Sequence, residues 1–257
     1  MGVIPADRQR QIIDIINREQ VVQVHELSTL FDVSELTVRR DLDHLAQTGL
    51  VERTHGGATV RRNLPIEPAF SEKLLEHKEE KVLIGNKAAT FINDGDTVFI
   101  NSGSTTYEVI KALKDKKITI VTNNIDATRI LHEGAQFSLI LLGGVYRMRS
   151  HSVSGLLSTS IVKQIFANKA IIGVDGCSVT SGLTTPVIEE AQTTREMIER
   201  TVGPVIVVAT GNKIGVVSNY VTVGINEIDV LITDTGGKKM LSIKEFIERE
   251  IELVIAQ

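Results

Sequence analysis

Apolar positions in the first sixty residues repeat at helical spacing three times and then switch to a shorter rhythm. Ile12, Ile13, Ile15 and Ile16 fall within residues 8–18 in the pattern of an amphipathic helix. Leu27, Leu30 and Phe31 share one face of a short second helix over Val24–Phe31. After a tight break at Asp32–Val33, Val38, Leu42 and Leu45 stand at i, i+4 and i+7 of a third helix. At about 100° per residue, Leu36 and Arg40 lie nearly opposite that stripe, with Thr37 and Arg39 on its flanks. Ser34 occupies the N-cap position, so the exposed side chains gather in the first turns of this helix. Gly49 suits the position just past its C-terminus. Leu50–Arg53 and Ala58–Arg61 then read as two short strands with Gly56-Gly57 in the turn between them, a hairpin signal. Three helices followed by a hairpin predict a winged helix-turn-helix domain over residues 1–62.

Residues 63–77 contain Pro65 and Pro68 and no strand pattern, which marks a linker. Helical spacing resumes over Lys78–Phe91 through Val82, Leu83, Ala88 and Phe91. Short apolar strands follow at Thr97–Ile100, Ile118–Val121, Phe137–Leu142, Ala170–Val174, Val205–Ala209 and Val230–Thr233. Helical segments near 105–113, 125–132, 156–167 and 188–201 lie between most of them. Such alternation predicts a mostly parallel sheet covered on both faces. The expected fold class is therefore α/β, with a winged helix-turn-helix domain at the N-terminus and a larger α/β domain over residues 78–257.

Composition narrows the function classes. At 42% apolar and 23% charged, the chain has the make-up of a globular protein with a sizeable core. The single cysteine, Cys177, excludes an internal disulfide and zinc-finger spacing and fits a reducing cytoplasm. Val205–Ala209 and Leu139–Leu142 are far too short to span a membrane, and charged residues interrupt the N-terminus before a signal peptide develops. A cytoplasmic protein with no metal and no cofactor is expected. Net charge is −4 and the pI about 5.9. Residues 1–62 hold eight Arg, no Lys and nine Asp/Glu, so positive charge is local rather than general. It is concentrated in the Arg39-Arg40 pair and in Arg53–Arg62, which carries three arginines and a histidine without an acid. A reader of specific DNA needs such a patch and not a high pI.

The exposed end of the third helix is the part of a recognition helix that meets base edges in the major groove. An Arg-Arg pair alone is more often a solvated face; its place in an ordered series of cap, short helix, turn and basic hairpin points to double-stranded DNA. Arg39 and Arg40 can hydrogen-bond base edges, guanine above all, or phosphates, and Leu36 can touch a thymine methyl. Ser34 and Thr37 suit phosphates, which position without specifying. Arg53, His55, Arg61 and Arg62 are expected to follow the backbone or the minor groove. Asp41, near the apolar stripe, is expected to orient an arginine or join helices.

In sheets of this kind, ligands bind outside the carboxyl ends of the strands. The loops there are polar and glycine-rich: Asn101-Ser102-Gly103-Ser104-Thr105-Thr106 opens a helix, Thr122-Asn123-Asn124 follows the second strand, Gly143-Gly144 the third and Asp175-Gly176 the fourth. Hydroxyls and free N–H groups at a helix N-terminus form an anion site. Four such loops in succession indicate a small polar ligand carrying phosphate.

The segments Val24-His25-Glu26-Leu27, Asp32-Val33-Ser34, Thr37-Val38-Arg39-Arg40-Asp41-Leu42 and Arg53-Thr54-His55-Gly56-Gly57-Ala58 closely resemble the DeoR family of bacterial transcriptional regulators. Residues 75–257 resemble the sugar-phosphate-binding domain of that family, which is related in fold to ribose-phosphate isomerase. The resemblance implies a repressor of carbohydrate-metabolism genes, controlled by a phosphorylated sugar effector. It places a phosphate loop at Ser102-Gly103-Ser104-Thr105-Thr106 and further pocket positions at Asn123, Gly143, Gly144, Asp175 and Gly176. Glu190-Ala191 with Arg195 resembles the family's Glu-Ala…Lys-Arg segment, and Lys213 its late lysine. Two positions depart from the pattern: Thr194 stands where lysine is common and Thr210 where aspartate is common. Arg147 and His151 are candidates to replace that charge. A homo-oligomer is expected, since helix-turn-helix readers pair their heads on half-sites. The competing reading is a sugar-phosphate isomerase with a DNA-binding appendage, in which Asp175 and Glu190 move protons.

Overall fold

A computed structural model describes residues 5–19, 21–47, 51–54, 56–60, 68–132, 134–238 and 242–257. The chain divides into two compact units, Met1–Leu64 and Pro65–Gln257.

The first unit runs α1 (Pro5–Glu19), β1 (Val21–Gln23), α2 (Val24–Phe31), α3 (Glu35–Gln47), β2 (Val51–Arg53) and β3 (Gly57–Val60). Its core takes most of the apolar stripes read from the sequence: Ile12, Ile16, Leu27, Phe31, Val38, Leu42 and Leu45 are all buried, whereas Leu30, expected on the face of Leu27 and Phe31, is exposed. Asp32 adopts the left-handed conformation (φ 51°), tolerable for a short polar residue, and so turns the chain sharply from α2 into α3. The strand β1 escaped the sequence reading, and it converts the hairpin into a three-stranded sheet of order β1-β3-β2. Gly57 makes that possible. A Cβ there would stand 1.8 Å from the Val22 carbonyl oxygen, so only glycine lets β3 approach β1. Its service is close packing, where the sequence had suggested a turn. Gly49, His55, Arg61 and Arg62 lie outside the described residues.

The second unit opens with α4 (Phe70–Leu75) and α5 (Lys78–Ala89), then β4 (Thr97–Ile100), α6 (Ser104–Ala112), β5 (Thr119–Thr122), α7 (Ala127–His132) and β6 (Ser138–Leu141). A hairpin β7 (Val145–Arg147) and β8 (Ser152–Ser154) leads to α8 (Leu156–Val162) and β9 (Lys169–Gly173). Next come β10 (Gly176–Ser178), β11 (Gly182–Thr185), α9 (Ile188–Glu199), β12 (Val205–Val208), β13 (Tyr220–Val223) and β14 (Val230–Thr233). The chain closes with α10 (Thr235–Lys238), α11 (Ser242–Ile247) and β15 (Glu252–Ile255).

Seven strands form one sheet of order β15-β14-β12-β9-β4-β5-β6, and every neighbouring pair is parallel. Successive residues of the inner strands feed opposite cores, while the edge strand β6 leaves Ile140 and Leu141 exposed. Val98 and Ile100 pack with α5 and α6 residues such as Ile84 and Ile110, whereas Phe99 packs with Val162, Met197 and Phe246 on the other face. Burial on both faces is why the strands read as unbroken apolar runs. The seventh strand β15, the hairpin and the small antiparallel sheet β10-β11-β13 were not foreseen. Residues 63–77, expected as a linker, carry α4 over Phe70–Leu75. Among the described residues no helix is long and apolar enough to cross a membrane.

The order of strands fixes where a ligand can sit. The chain starts in the middle with β4, runs outward through β5 and β6, returns to the other side of β4 with β9, and continues outward. Connections therefore leave β4 and β9 in opposite directions, which opens a crevice beyond their carboxyl ends.

Candidate functional site

On α3, Val38, Leu42 and Leu45 face the core while Leu36 is 59% exposed, an apolar side chain offered to solvent. Ser34 caps the helix: the Thr37 N–H donates to its Oγ at 3.2 Å, and the two hydroxyls lie 2.9 Å apart. Arg40 is exposed and, among the described residues, Arg39 makes an exposed i,i+4 pair with Glu35 at 3.3 Å, so both guanidiniums can reach an outside partner. Asp41 is spent internally. Buried on the inner side, it accepts from Arg8 Nε at 2.6 Å and Gln9 Nε2 at 2.9 Å and fastens α3 to α1. Arg53 differs from its expected role. Its guanidinium donates to Asp43 of α3 at 2.8 Å and to the Gly57 carbonyl, which locks the hairpin onto the helix.

In the second unit a cavity lies at the switch point between β4 and β9. Asn101, just past β4, clasps the two strands: its Nδ2 donates to the Gly173 carbonyl at 2.9 Å and its Oδ1 accepts the Gly173 N–H at 2.8 Å. Ser102, Gly103, Ser104 and Thr105 line the cavity where α6 begins. Gly103 has φ 156° and ψ 158°, and its carbonyl accepts from the Thr106 hydroxyl at 3.0 Å. The first N–H groups of α6 have no partner within the helix. Asn123 sits behind this loop, accepting the Ser102 N–H at 2.7 Å and donating to the Val153 carbonyl at 3.1 Å.

Three lysines also border the cavity. Lys213 comes from the turn after β12, which the buried Asp234 carboxylate fixes by accepting the N–H groups of Gly211, Gly236 and Gly237. Lys73 of α4 pairs with Asp175 at 2.7 Å, and Thr185 donates to the other oxygen of Asp175 at 3.1 Å. Lys81 is only 6% exposed, and its ammonium donates to the carbonyls of Lys73 and Glu76 at the end of α4. Burial pushes Lys81 down to about 8; Lys213 and Lys73 add repulsion while Glu76 and Glu108 draw it up.

The structure thus brings Ser102, Gly103, Ser104, Thr105, Asp175, Glu190 and Lys213 around one cavity, together with Thr194 and Thr210. It places the other expected residues elsewhere. Arg195 donates to the carbonyls of Thr222 at 2.7 Å and Val221 at 2.9 Å, bracing α9 against β13. Thr106 is fully buried behind the loop. Gly143 and Gly144 lead into the β7–β8 hairpin, and Gly176 begins β10 in tight contact with Val216 and Thr184. Arg147 pairs with Glu190 at 3.5 Å and His151 with Asp126 at 2.7 Å, so neither replaces the missing charge in the cavity. Thr194 accepts from Asn101 at 3.3 Å and Thr210 donates to Asn212 at 2.6 Å, both neutral contacts. Phe70, Lys73 and Lys81 were missed, since a lysine in a helix carries no signal of its own. Cys177 is a core residue: burial pushes its thiol up to about 12, which removes it as a nucleophile. Among the described residues no group of three or more His, Cys, Asp or Glu could hold a metal ion.

A three-helix DNA-binding unit with a braced hairpin, joined in one chain to an α/β unit with a polar cavity, defines a ligand-responsive transcription regulator. Residues 8–63 match the DeoR-like helix-turn-helix domain and residues 76–235 the DeoR C terminal sensor domain. The chain belongs to the DeoR family of transcription regulators. Similar proteins include the transcriptional repressor AccR of Agrobacterium fabrum, 33% identical over 91% of this chain and 92% of its own length. The transcriptional repressor GlcR of Bacillus subtilis is 32% identical over 89% and 88%, and the regulator GolR of Listeria innocua 28% over 99% and 100%. Among solved structures, ribose 5-phosphate isomerase A of Methanocaldococcus jannaschii matches 54% of this chain and 55% of its own, at 13% identity and a TM-score of 0.40. A likeness that distant says nothing of chemistry.

Proposed function

We propose that this regulator is a repressor of carbohydrate-metabolism genes whose grip on a double-stranded operator is set by a phosphorylated sugar held in the cavity. One observation carries the effector half of this reading: the start of α6 and the Lys213 turn converge at the switch point of the sheet. A phosphate there meets the N–H groups of α6, the hydroxyls of Ser102, Ser104 and Thr105 and the Lys213 ammonium. Glu190, Thr184, Thr185 and Thr222 leave acceptors and hydroxyls for the sugar. On the DNA side, Arg39 and Arg40 take base edges or phosphates, Leu36 a thymine methyl, and Ser34 and Thr37 the backbone.

The effector acts by preferring one arrangement of the chain, and a coupling of about 1–3 kcal/mol would change operator affinity about 5–150-fold. A homo-oligomer in the cytoplasm supplies two heads for half-sites about 34–36 Å apart or multiples of that. No turnover is required. The isomerase reading needs a carboxylate at liberty to move a proton, and Asp175 is held by Lys73 and Thr185 while Ser152 donates to Glu190 at 2.8 Å. A thermal-shift screen of sugar phosphates tests the proposal, because a ligand bound only by the folded state raises the melting temperature. At least one is expected to do so and to lose its effect in Ser104→Ala and Lys213→Ala. Unchanged shifts in both variants would remove the site, and turnover of ribose 5-phosphate that disappears in Asp175→Asn would favour the enzyme.

A further inference from the structure

Helix α4 is six residues long and belongs to neither helical layer of the sheet, yet it supplies Phe70 and Lys73 to the cavity. Its start is anchored by ring packing: Phe70 lies stacked on His151 at 5.0 Å and edge-on to Tyr107 at 6.2 Å, and its N–H donates to the Arg149 carbonyl at 2.7 Å. The polar ties of the rest are two ammonium groups among the described residues. Lys73 reaches down to Asp175 beyond β9, and Lys81, from the first turn of α5, fills the carbonyls at the end of α4. Those last carbonyls have no helical partner, and a cation is the group that suits them.

This arrangement has a built-in conflict. Holding α4 down gathers Lys73, Lys81 and Lys213 around one cavity, and burial together with repulsion from Lys213 and Lys73 opposes the charge on Lys81. An anion against the start of α6 and Lys213 relieves that repulsion, so anion binding and α4 docking favour each other. We propose that Lys81 is a positioning residue of the effector site: it seats α4, and with it Lys73, over the cavity, and does so more firmly when an anion is bound there. The inference rests on the reading of this cavity as an anion site. It also gives the effector a handle on the segment that follows the DNA-binding unit, since α4 is the first described element after Leu64.

Amide hydrogen exchange of residues 70–76 in the full chain, with and without saturating inorganic phosphate, tests it. In the wild type, phosphate is expected to slow exchange of these amides several-fold. The slowing disappears in Lys81→Met and returns in Lys81→Arg, which keeps the charge and the donors, while phosphate still raises the melting temperature of Lys81→Met through α6 and Lys213. A purely structural lysine would change the exchange of α4 equally with and without phosphate, and that result overturns the proposal. So does a wild-type protein whose melting temperature rises with phosphate while residues 70–76 exchange as before; the anion site then stands without the coupling. If phosphate gives no shift in the wild type, the anion site and the coupling fall together.

Discussion

The outward face of α3 and the cavity beside Asn101 are assembled in opposite ways. The side chains proposed to meet DNA come from seven consecutive residues, Ser34–Arg40, carried on one helix whose other side is core. The cavity draws on segments spread from Phe70 to Thr222, brought together by the order of the strands. A contiguous surface keeps its meaning in the local pattern, because 3.6-residue periodicity alone separates inside from outside. A distributed site has no local pattern, and its members are individually ordinary. The two regions also hold their charges differently: α3 presents Arg40 exposed, whereas the cavity engages Lys73 and Lys81 inside the unit.

The comparison can be broken most forcefully at the base of α3. Asp41→Ala breaks a buried ion pair with Arg8 and is expected to destabilise the DNA-binding unit by about 3–5 kcal/mol. Chemical denaturation of the full chain checks this, and a loss under about 1 kcal/mol would mean that the apolar stripe alone fixes the helix. At the cavity, Asn101→Ala removes the clasp between β4 and β9, and about 1–3 kcal/mol should be lost. Any sugar-phosphate thermal shift should go with it; an undiminished shift would show that the crevice holds its shape without the clasp.

Arg40→Ala touches no partner among the described residues, so stability should stay within about 0.5 kcal/mol of the parent. Operator binding should weaken by about 1–3 kcal/mol, more than binding to random DNA. Equal losses on both, measured by gel shift or fluorescence anisotropy, would assign Arg40 to phosphate. The smallest effect concerns pH. Lys81 stands at about 8 with Glu76, Glu108, Lys73 and Lys213 facing it, and an anion favours its protonated form. Affinity for sulfate, whose charge is constant over this range, is therefore full below about 8 and falls as pH rises through it, by less than about tenfold per unit. Calorimetric titrations on either side of that value would show it, and a flat profile would separate Lys81 from the bound anion.

Much of the architecture was legible because single patterns carried it. Six of the seven parallel strands and the helices of the first unit lie where periodicity put them, to within a residue or two save for the start of α1, which lies three residues earlier. The hairpin β7–β8, the sheet β10-β11-β13 and β15 were not legible, since three- and four-residue strands carry too short a pattern. Arg195 shows the limit of reading roles from position. An arginine in a helix after a Glu-Ala pair looks like a ligand contact, but tertiary packing turns it onto the carbonyls of β13. Lys73 and Lys81 show the converse, because they matter only once α4 is laid over the ends of β4 and β9.

By itself, then, the sequence determined most of the buried faces, which helix exposes its arginines and which loops are rich in hydroxyls and glycine. These depend on neighbours three or four residues away, where covalent geometry dictates the contacts. Only the tertiary structure decided which loops meet. Placing β9 beside β4 sets Asp175 near Ser102 and leaves Gly143 and Gly144 at a hairpin, and bringing α4 and the Lys213 turn to the same crevice makes a cavity of separate segments. Strand order is a choice among long-range pairings whose energies come from whole faces of the sheet, and no short stretch of chain encodes it.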